Sequence, residues 1–392
     1  MRRLVAVVVA ASLGVACTRA PATPAPATRL GAADWSRVRF FLDSAVADTA
    51  APGAVLGVSF RGEHRYYSTG RLGLDNPLRP DSNSVYDLAS LTKVIGLTTA
   101  VMLAVDEGRI NIDAPIQRYV PEFTGPYKDM VSVRHLLTHS SGLRAGRPLY
   151  RETTDRAGAL ALADTTPLDT LPGARMTYSD LGAIVLTQVV ERVYGMRLDS
   201  LLEQRVFGPL GMHSTRYLPP ASWLTRIAPT ENDPWRGRMI WGEVHDENAS
   251  RLGGVSGHAG LFSDAEDLLT FADWLLSGTG APGAPAPSPG VPAPPRSLRS
   301  FIQRQHIPLS SSRALGWDTA FGESSAGHLM DATSFGHTGF TGTSIWMDPT
   351  RDLVVVLLSN RVHPTRANQK WGRVRSGTAD RVVASLFPVA AQ

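Results

Sequence analysis

Ser90 and Lys93 stand three residues apart in the stretch Ser90-Leu91-Thr92-Lys93. From Val94 onward, Leu97, Val101, Met102 and Val105 recur at helical spacing, and Gly108 is a stop signal. The pattern predicts a helix that begins at or near Ser90, with its hydroxyl and the Lys93 amine on one face. A serine hydroxyl is a weak nucleophile until a neighbour takes its proton. A lysine can take it when burial lowers its pKa, because desolvation disfavours the ammonium. The open N–H groups of a helix start can stabilise an oxyanion. A lone S-x-x-K is common by chance, and alone it reads as a capping serine and a solvated lysine.

Two further polar motifs follow in the chain. Tyr178-Ser179-Asp180 precedes an amphipathic helix that runs from Leu181 and ends at Gly195. His337-Thr338-Gly339 stands just upstream of two expected strands, 344–347 and 353–359, joined by the turn 348–352. His135 and His139, four residues apart, suggest a metal pair. A zinc-peptidase helix carries Glu after its first His, and here that residue is Leu136. Both histidines therefore read as structural or as supports behind a site, and neither a metal nor an organic cofactor is implied. An α/β-hydrolase nucleophile needs Gly-x-Ser-x-Gly, whereas Leu88 and Thr92 flank Ser90.

The elements that must position these motifs are legible in outline. Residues 32–47 carry Trp35, Val38, Phe41, Leu42 and Val46 at helical spacing. Residues 54–60 and 64–69 read as the arms of a hairpin around Arg61-Gly62-Glu63. Residues 244–262 are Gly-rich and polar, and Asp264 caps a helix to Trp274. Residues 277–297, dense in Pro, Gly and Ala, read as a flexible insertion within one domain spanning 32–392. The last helix is expected over 369–387.

The 392 residues suffice for a large core, and 43% apolar with 19% charged is a globular composition. The formal charge is +4, of which Arg2 and Arg3 contribute two. There is no Lys/Arg-rich run, so nucleic-acid binding has little support. Residues 1–16 have the charged start and short apolar run of an exported leader, too short to span a bilayer. The sole cysteine, Cys17, follows directly and resembles a bacterial lipoprotein site, where the cysteine is lipidated; Gly14 departs from the more usual Leu. The expectation is a membrane-anchored exported protein, with residues 17–31 as the lipidated cysteine and a Pro/Ala-rich tether.

Taken in order, Ser90-x-x-Lys93, Tyr178-Ser179-Asp180 and His337-Thr338-Gly339 resemble the serine β-lactamase and penicillin-binding-protein superfamily. The closer match is its class C-like branch of DD-peptidases, D-aminopeptidases and carboxylesterases. Residues 136–143, 206–212 and 339–346 are similar to the same branch, and 242–262 to its D-alanyl-D-alanine carboxypeptidase-like members. The resemblance runs from about Trp35 to the C-terminus. It implies an α/β fold of the α+β type: an antiparallel sheet built from both chain ends, flanked by helices, with an inserted helical lobe.

The resemblance also implies roles. Ser90 would form the acyl-enzyme. Lys93 would accept its proton or hold the hydroxyl ready. Tyr178 would relay the proton to the leaving group. The backbone N–H groups of Ser90 and Phe340 would form the oxyanion hole. Asp180, His337, Thr338 and Gly339 would contact substrate, with Thr338 on a carboxylate. Two departures matter. His337 replaces the frequent Lys, so carboxylate binding should depend on its charge below about pH 6.5. Asp180 replaces the usual Asn, and either suits a cationic substrate group or pairs with Lys93.

The expected activity is a D-alanyl-D-alanine carboxypeptidase or related D-amino-acid peptidase acting on peptidoglycan peptides. The alternatives are a carboxylesterase, transacylase or weak β-lactamase on the same scaffold, taking ester or β-lactam substrates. Another class of reading is a non-catalytic wall-binding protein, disfavoured by the joint presence of Ser90, Lys93 and Tyr178.

Overall fold

Every residue of strand β1 (Gly53–Phe60) is buried, whereas its hairpin partner β2 (Glu63–Gly70) is mostly half-exposed. The difference reflects position in the sheet. β1 is hydrogen-bonded on its other side to β6 (Leu353–Ser359), which comes from the opposite end of the chain. With β3 (Asp318–Thr319), β4 (Phe335–Thr338) and β5 (Ser344–Asp348), these form a six-stranded sheet in the order β2-β1-β6-β5-β4-β3. Each neighbouring pair is antiparallel. The computed structural model describes residues 28–280 and 290–388. The leader, Cys17 and most of the expected tether lie outside them.

Alternation along the central strands divides the core. Ala54, Leu56, Val58 and Phe60 of β1, with Leu353, Val355 and Leu357 of β6, face one side. They meet α1 (Ser36–Ala47) and the C-terminal helix α5 (Gly372–Leu386). Val55, Val354, Val356 and Leu358 face the other side and join a larger core. There α4 (Ala265–Thr279) packs on the sheet, and Gly57 leaves room for Leu269 and Ala265. A strand covered on both faces needs a near-continuous apolar run, which β6 supplies. Each such buried aliphatic side chain contributes about 1.5–3 kcal/mol.

Apart from α4, most of the chain between β2 and β3 forms the inserted, mainly helical lobe. Its centre is the apolar helix α2 (Ala89–Asp106), largely buried, packed against α3 (Asp180–Tyr194). A small sheet of Tyr86–Asp87, Leu261–Ser263 and Arg216–Tyr217 ties the start of α2 to the lobe. The hairpin, the two late strands, the Gly195 helix stop and the Asp264 cap follow the sequence expectation.

Helix α4 departs from that expectation. It continues past Trp274 to Thr279, because Leu275 and Leu276 still face the core. Ser277–Thr279 therefore belong to a helix rather than to the expected insertion. On the far side, Pro292 O accepts from Trp274 Nε1 at 2.8 Å. Residues 281–289 lie outside the described residues.

Candidate active site

The site begins with a strained turn. Leu88 N–H donates to Leu261 O at 2.9 Å, and Ala89 then takes φ 47°, a region costly for a residue with a Cβ. Buried Asp87 holds the turn: Oδ1 accepts from Ala89 N–H at 2.8 Å and Oδ2 from His245 N–H at 2.7 Å. Ser90 leaves this turn at the first winding of α2. Over Lys93–Thr98 the helix widens into a π-turn, a form frequent at functional sites.

Lys93 is 3% exposed, and its ammonium has a complete set of partners. Nζ donates to Ser90 Oγ at 3.0 Å and to His258 O at 3.0 Å, and lies 2.7 Å from Asp180 Oδ1. Burial pulls the Lys93 pKa down, the Asp180 carboxylate pushes it up, and the net shift is upward. Of the two roles left open for Lys93, accepting the Ser90 proton or holding the hydroxyl ready, this shift favours the second. Lys93 is an ammonium that donates a hydrogen bond to the Ser90 oxygen. The two readings of Asp180 are thereby separated, since its carboxylate pairs with Lys93.

The Tyr178 motif is placed by α3. Ser179 is the N-cap, its Oγ accepting from Gly182 N–H at 3.3 Å, while Asp180 opens the helix. His139 Nδ1 accepts from Ser179 N–H at 3.1 Å, and the His139 ring lies 4.5 Å from the Tyr178 ring. His135 instead caps its own short helix through Ser132. The histidine pair thus serves two separate local structures. Tyr178 Oη is buried with no hydrogen-bond partner among the described residues.

His337 lies on β4, its ring 5.8 Å from that of Tyr178. Burial, with Arg313 and Lys93 nearby, pushes the His337 pKa well below the ordinary histidine value. Its Nδ1–H donates to Thr338 O at 2.8 Å, and Nε2 is buried without a partner. The charge expected on His337 below about pH 6.5 is therefore disfavoured by the fold. Arg313, which sequence reasoning missed, brings positive charge to the same place: its guanidinium lies 5.2 Å from the centre of the Tyr178 ring. Lys93 Nζ lies 4.9 Å from that ring.

Strand β4 ends against the Ser90 turn. Thr341 Oγ1 donates to Asp87 O at 2.7 Å and Thr343 Oγ1 to Leu88 O at 3.0 Å. A Cβ on Gly339 would stand 2.3 Å from Leu88 O, so this approach requires glycine. The Phe340 amide that follows has no acceptor among the described residues. The structure thus brings Ser90, Lys93, Tyr178, Asp180, His337, Thr338, Gly339 and Phe340 into one cleft between sheet and lobe. Ser90, Asp180, Thr338 and Phe340 reach solvent, and Lys93, His139 and His337 lie buried beneath them. Two short helices of the lobe, Leu149–Glu152 and Glu247–Arg251, are joined by Asn248 Oδ1 accepting from Tyr150 N–H at 3.1 Å. A separate cavity of about 1080 Å³, lined by Arg299, Arg304 and Phe321, contains none of these residues.

A hydroxyl beside a buried ammonium, an unpaired phenol and a free amide together suit acyl transfer through a serine ester. Residues 38–379 match the Beta-lactamase family model, and the chain belongs to that family. The "Putative D-alanyl-D-alanine carboxypeptidase" of Salmonella enteritidis PT4 (strain P125109) is 31% identical over 334 residues, covering 76% of this chain and 74% of that protein. The class C β-lactamase from Rhodobacter sphaeroides superposes with a TM-score of 0.67 at 23% identity, covering 88% of this chain and 98% of that one. EstCE1, described as a hydrolase with promiscuous acyltransferase activity, gives 0.68 at 21% identity, covering 88% and 97%. The chain is a serine hydrolase of the β-lactamase, DD-peptidase or esterase type.

Proposed function

We propose that the protein is a D-alanyl-D-alanine carboxypeptidase acting on peptidoglycan peptides, and that Ser90 is its nucleophile. The observation that carries the acyl-transfer reading is the 3.0 Å hydrogen bond from buried Lys93 Nζ to Ser90 Oγ, beside an unpartnered Tyr178 Oη. Support for the substrate class comes from the carboxypeptidase relative and from the lipoprotein-like N-terminus, which would hold the enzyme near the cell wall.

In this reading Ser90 Oγ attacks the carbonyl carbon of the terminal peptide bond. Lys93 stays protonated and holds the oxygen in line. The Ser90 proton passes to Tyr178 Oη as Tyr178 gives its own proton to the leaving D-alanine nitrogen. The C–N bond breaks, leaving an ester on Ser90. Water then attacks the ester and returns one proton through Tyr178 to Ser90. The Ser90 and Phe340 amides hold the oxyanion in both steps. Thr338, at the exposed end of β4, takes the substrate carboxylate.

A second reading is favoured by the burial of His337, which lowers its pKa and disfavours the cation. With no charged side chain at position 337 itself, the site suits esters that carry no carboxylate, as an esterase or transacylase would use.

The test is release of D-alanine from a muramyl pentapeptide analogue, alongside hydrolysis of short acyl nitrophenyl esters, on wild type and Ser90→Ala. The carboxypeptidase predicts D-alanine release that is lost in Ser90→Ala by about 10⁴–10⁶-fold in kcat. Ester turnover without D-alanine release would replace it with the esterase reading. Undiminished turnover in Ser90→Ala would remove both.

A further inference from the structure

The Gly339–Phe340 peptide carries two groups that point in opposite directions: the Gly339 carbonyl and the Phe340 N–H. The carbonyl is held by a residue from a distant element. Arg375, in the first turn of α5, donates from Nη2 to Gly339 O at 2.6 Å. Burial and nearby Arg361 lower the Arg375 pKa to about 10, which leaves a full guanidinium charge at neutral pH. Its Nε is buried with no other partner among the described residues, so the bond to Gly339 O is this side chain's one polar anchor there.

We infer that Arg375 is a positioning residue that aims and polarises the Phe340 N–H of the oxyanion hole. This rests on the proposed role of Phe340. Because the peptide unit is planar, fixing its oxygen on Arg375 fixes the N–H direction on the opposite side. A charged donor on the carbonyl also draws electron density from the amide nitrogen and strengthens the N–H as a donor. Within the turn the same oxygen accepts from Gly342 N–H at 3.2 Å, and Gly339 N–H donates to Thr343 O at 2.8 Å, so Arg375 adds a shorter, charged donor to a backbone-held carbonyl. Gly339 has no side chain to anchor, and Phe340 is 46% exposed. Gly342 O is held separately, by Trp371 Nε1 at 2.7 Å, so the start of α5 grips both ends of the turn.

Arg361 provides the internal comparison. It also reaches this turn, donating from Nε to Phe340 O at 2.9 Å. That oxygen belongs to the next peptide unit, which does not carry the Phe340 N–H. A merely structural role for the arginines would make their loss equivalent. The inference makes them unequal.

The experiment compares wild type, Arg375→Met, Arg375→Lys and Arg361→Met with a nitrophenyl ester, with a peptide boronic acid, and by infrared spectroscopy of the acyl-enzyme carbonyl. Arg375→Met is expected to lower kcat by roughly 10–100-fold, less than the roughly 10²–10³-fold for removing an oxyanion donor outright. KM should change less than about threefold, and boronate affinity should fall with kcat, since only the oxyanion is affected. The carbonyl band should move to higher frequency. Arg375→Lys, which keeps a charged donor, should recover most of kcat, and it serves as the folded comparison if Arg375→Met unfolds. Arg361→Met should lose less kcat at a similar melting temperature. An unchanged carbonyl band and kcat in Arg375→Met would overturn the inference, as would equal losses in Arg375→Met and Arg361→Met. Failure of wild type to form any acyl-enzyme would instead defeat the proposed function itself.

Discussion

Lys93 Nζ lies 2.7 Å from Asp180 Oδ1 and 3.0 Å from Ser90 Oγ, so one buried ammonium joins a carboxylate to the hydroxyl. The carboxylate decides what the lysine can do. Without it, burial would favour the neutral amine and a general base; with it, the ammonium is favoured. Ser90 is therefore oriented by a donor, and in the proposed mechanism proton transfer falls to Tyr178.

Asp180→Asn tests that division. With the carboxylate gone, the downward pull of burial on Lys93 is opposed far less. The alkaline limb of the pH–rate profile is expected to move to lower pH by about 1–3 units. Stability should fall by about 1–3 kcal/mol, because a buried charge loses its ion partner while Asp180 itself is partly solvated. An ester pH–rate profile and urea unfolding measure both effects. An alkaline limb that does not move would mean that Asp180 does not govern Lys93.

Gly339→Ala is expected to uncouple the strand end from the nucleophile. The added methyl would meet Thr343 Oγ1 at 2.1 Å and Leu88 O at 2.3 Å. Overpacking should cost about 1–3 kcal/mol. Displacing the Phe340 amide should lower kcat by about 10²-fold or more. Calorimetry and ester kinetics give the two numbers separately, and wild-type kcat in a destabilised variant would place the oxyanion donor elsewhere.

His337→Asn should change how stability depends on pH. The His337 pKa is lowered in the folded chain, by burial first and then by Arg313 and Lys93. Below pH 6.5 the unfolded histidine binds a proton that the folded one refuses, so wild-type stability falls as pH falls. Asparagine has no such proton. Between pH 7.5 and 5.5 the variant should gain about 1.4 kcal/mol relative to wild type. His139 is shifted the same way but is present in both proteins, so it cancels. Urea titrations at the two pH values provide the check, and parallel losses would show a charged His337.

The three motifs, the hairpin, the late strands and the capped helices were legible in the sequence because each rests on local rules. Periodicity, turn residues and caps act over a few positions, and Ser90 and Lys93 are brought together within one helical turn. What tertiary structure decided was charge and direction. Lys93 and Asp180 are 87 residues apart in number, and no spacing rule pairs them. Lys93 is an ammonium and His337 an imidazole because of partners and burial supplied by other elements. Arg313 and Arg375 carry no local signature; they matter because packing places one guanidinium over Tyr178 and the other on Gly339 O. A pKa and an N–H vector are set by surroundings in space, and only the folded chain assembles those surroundings.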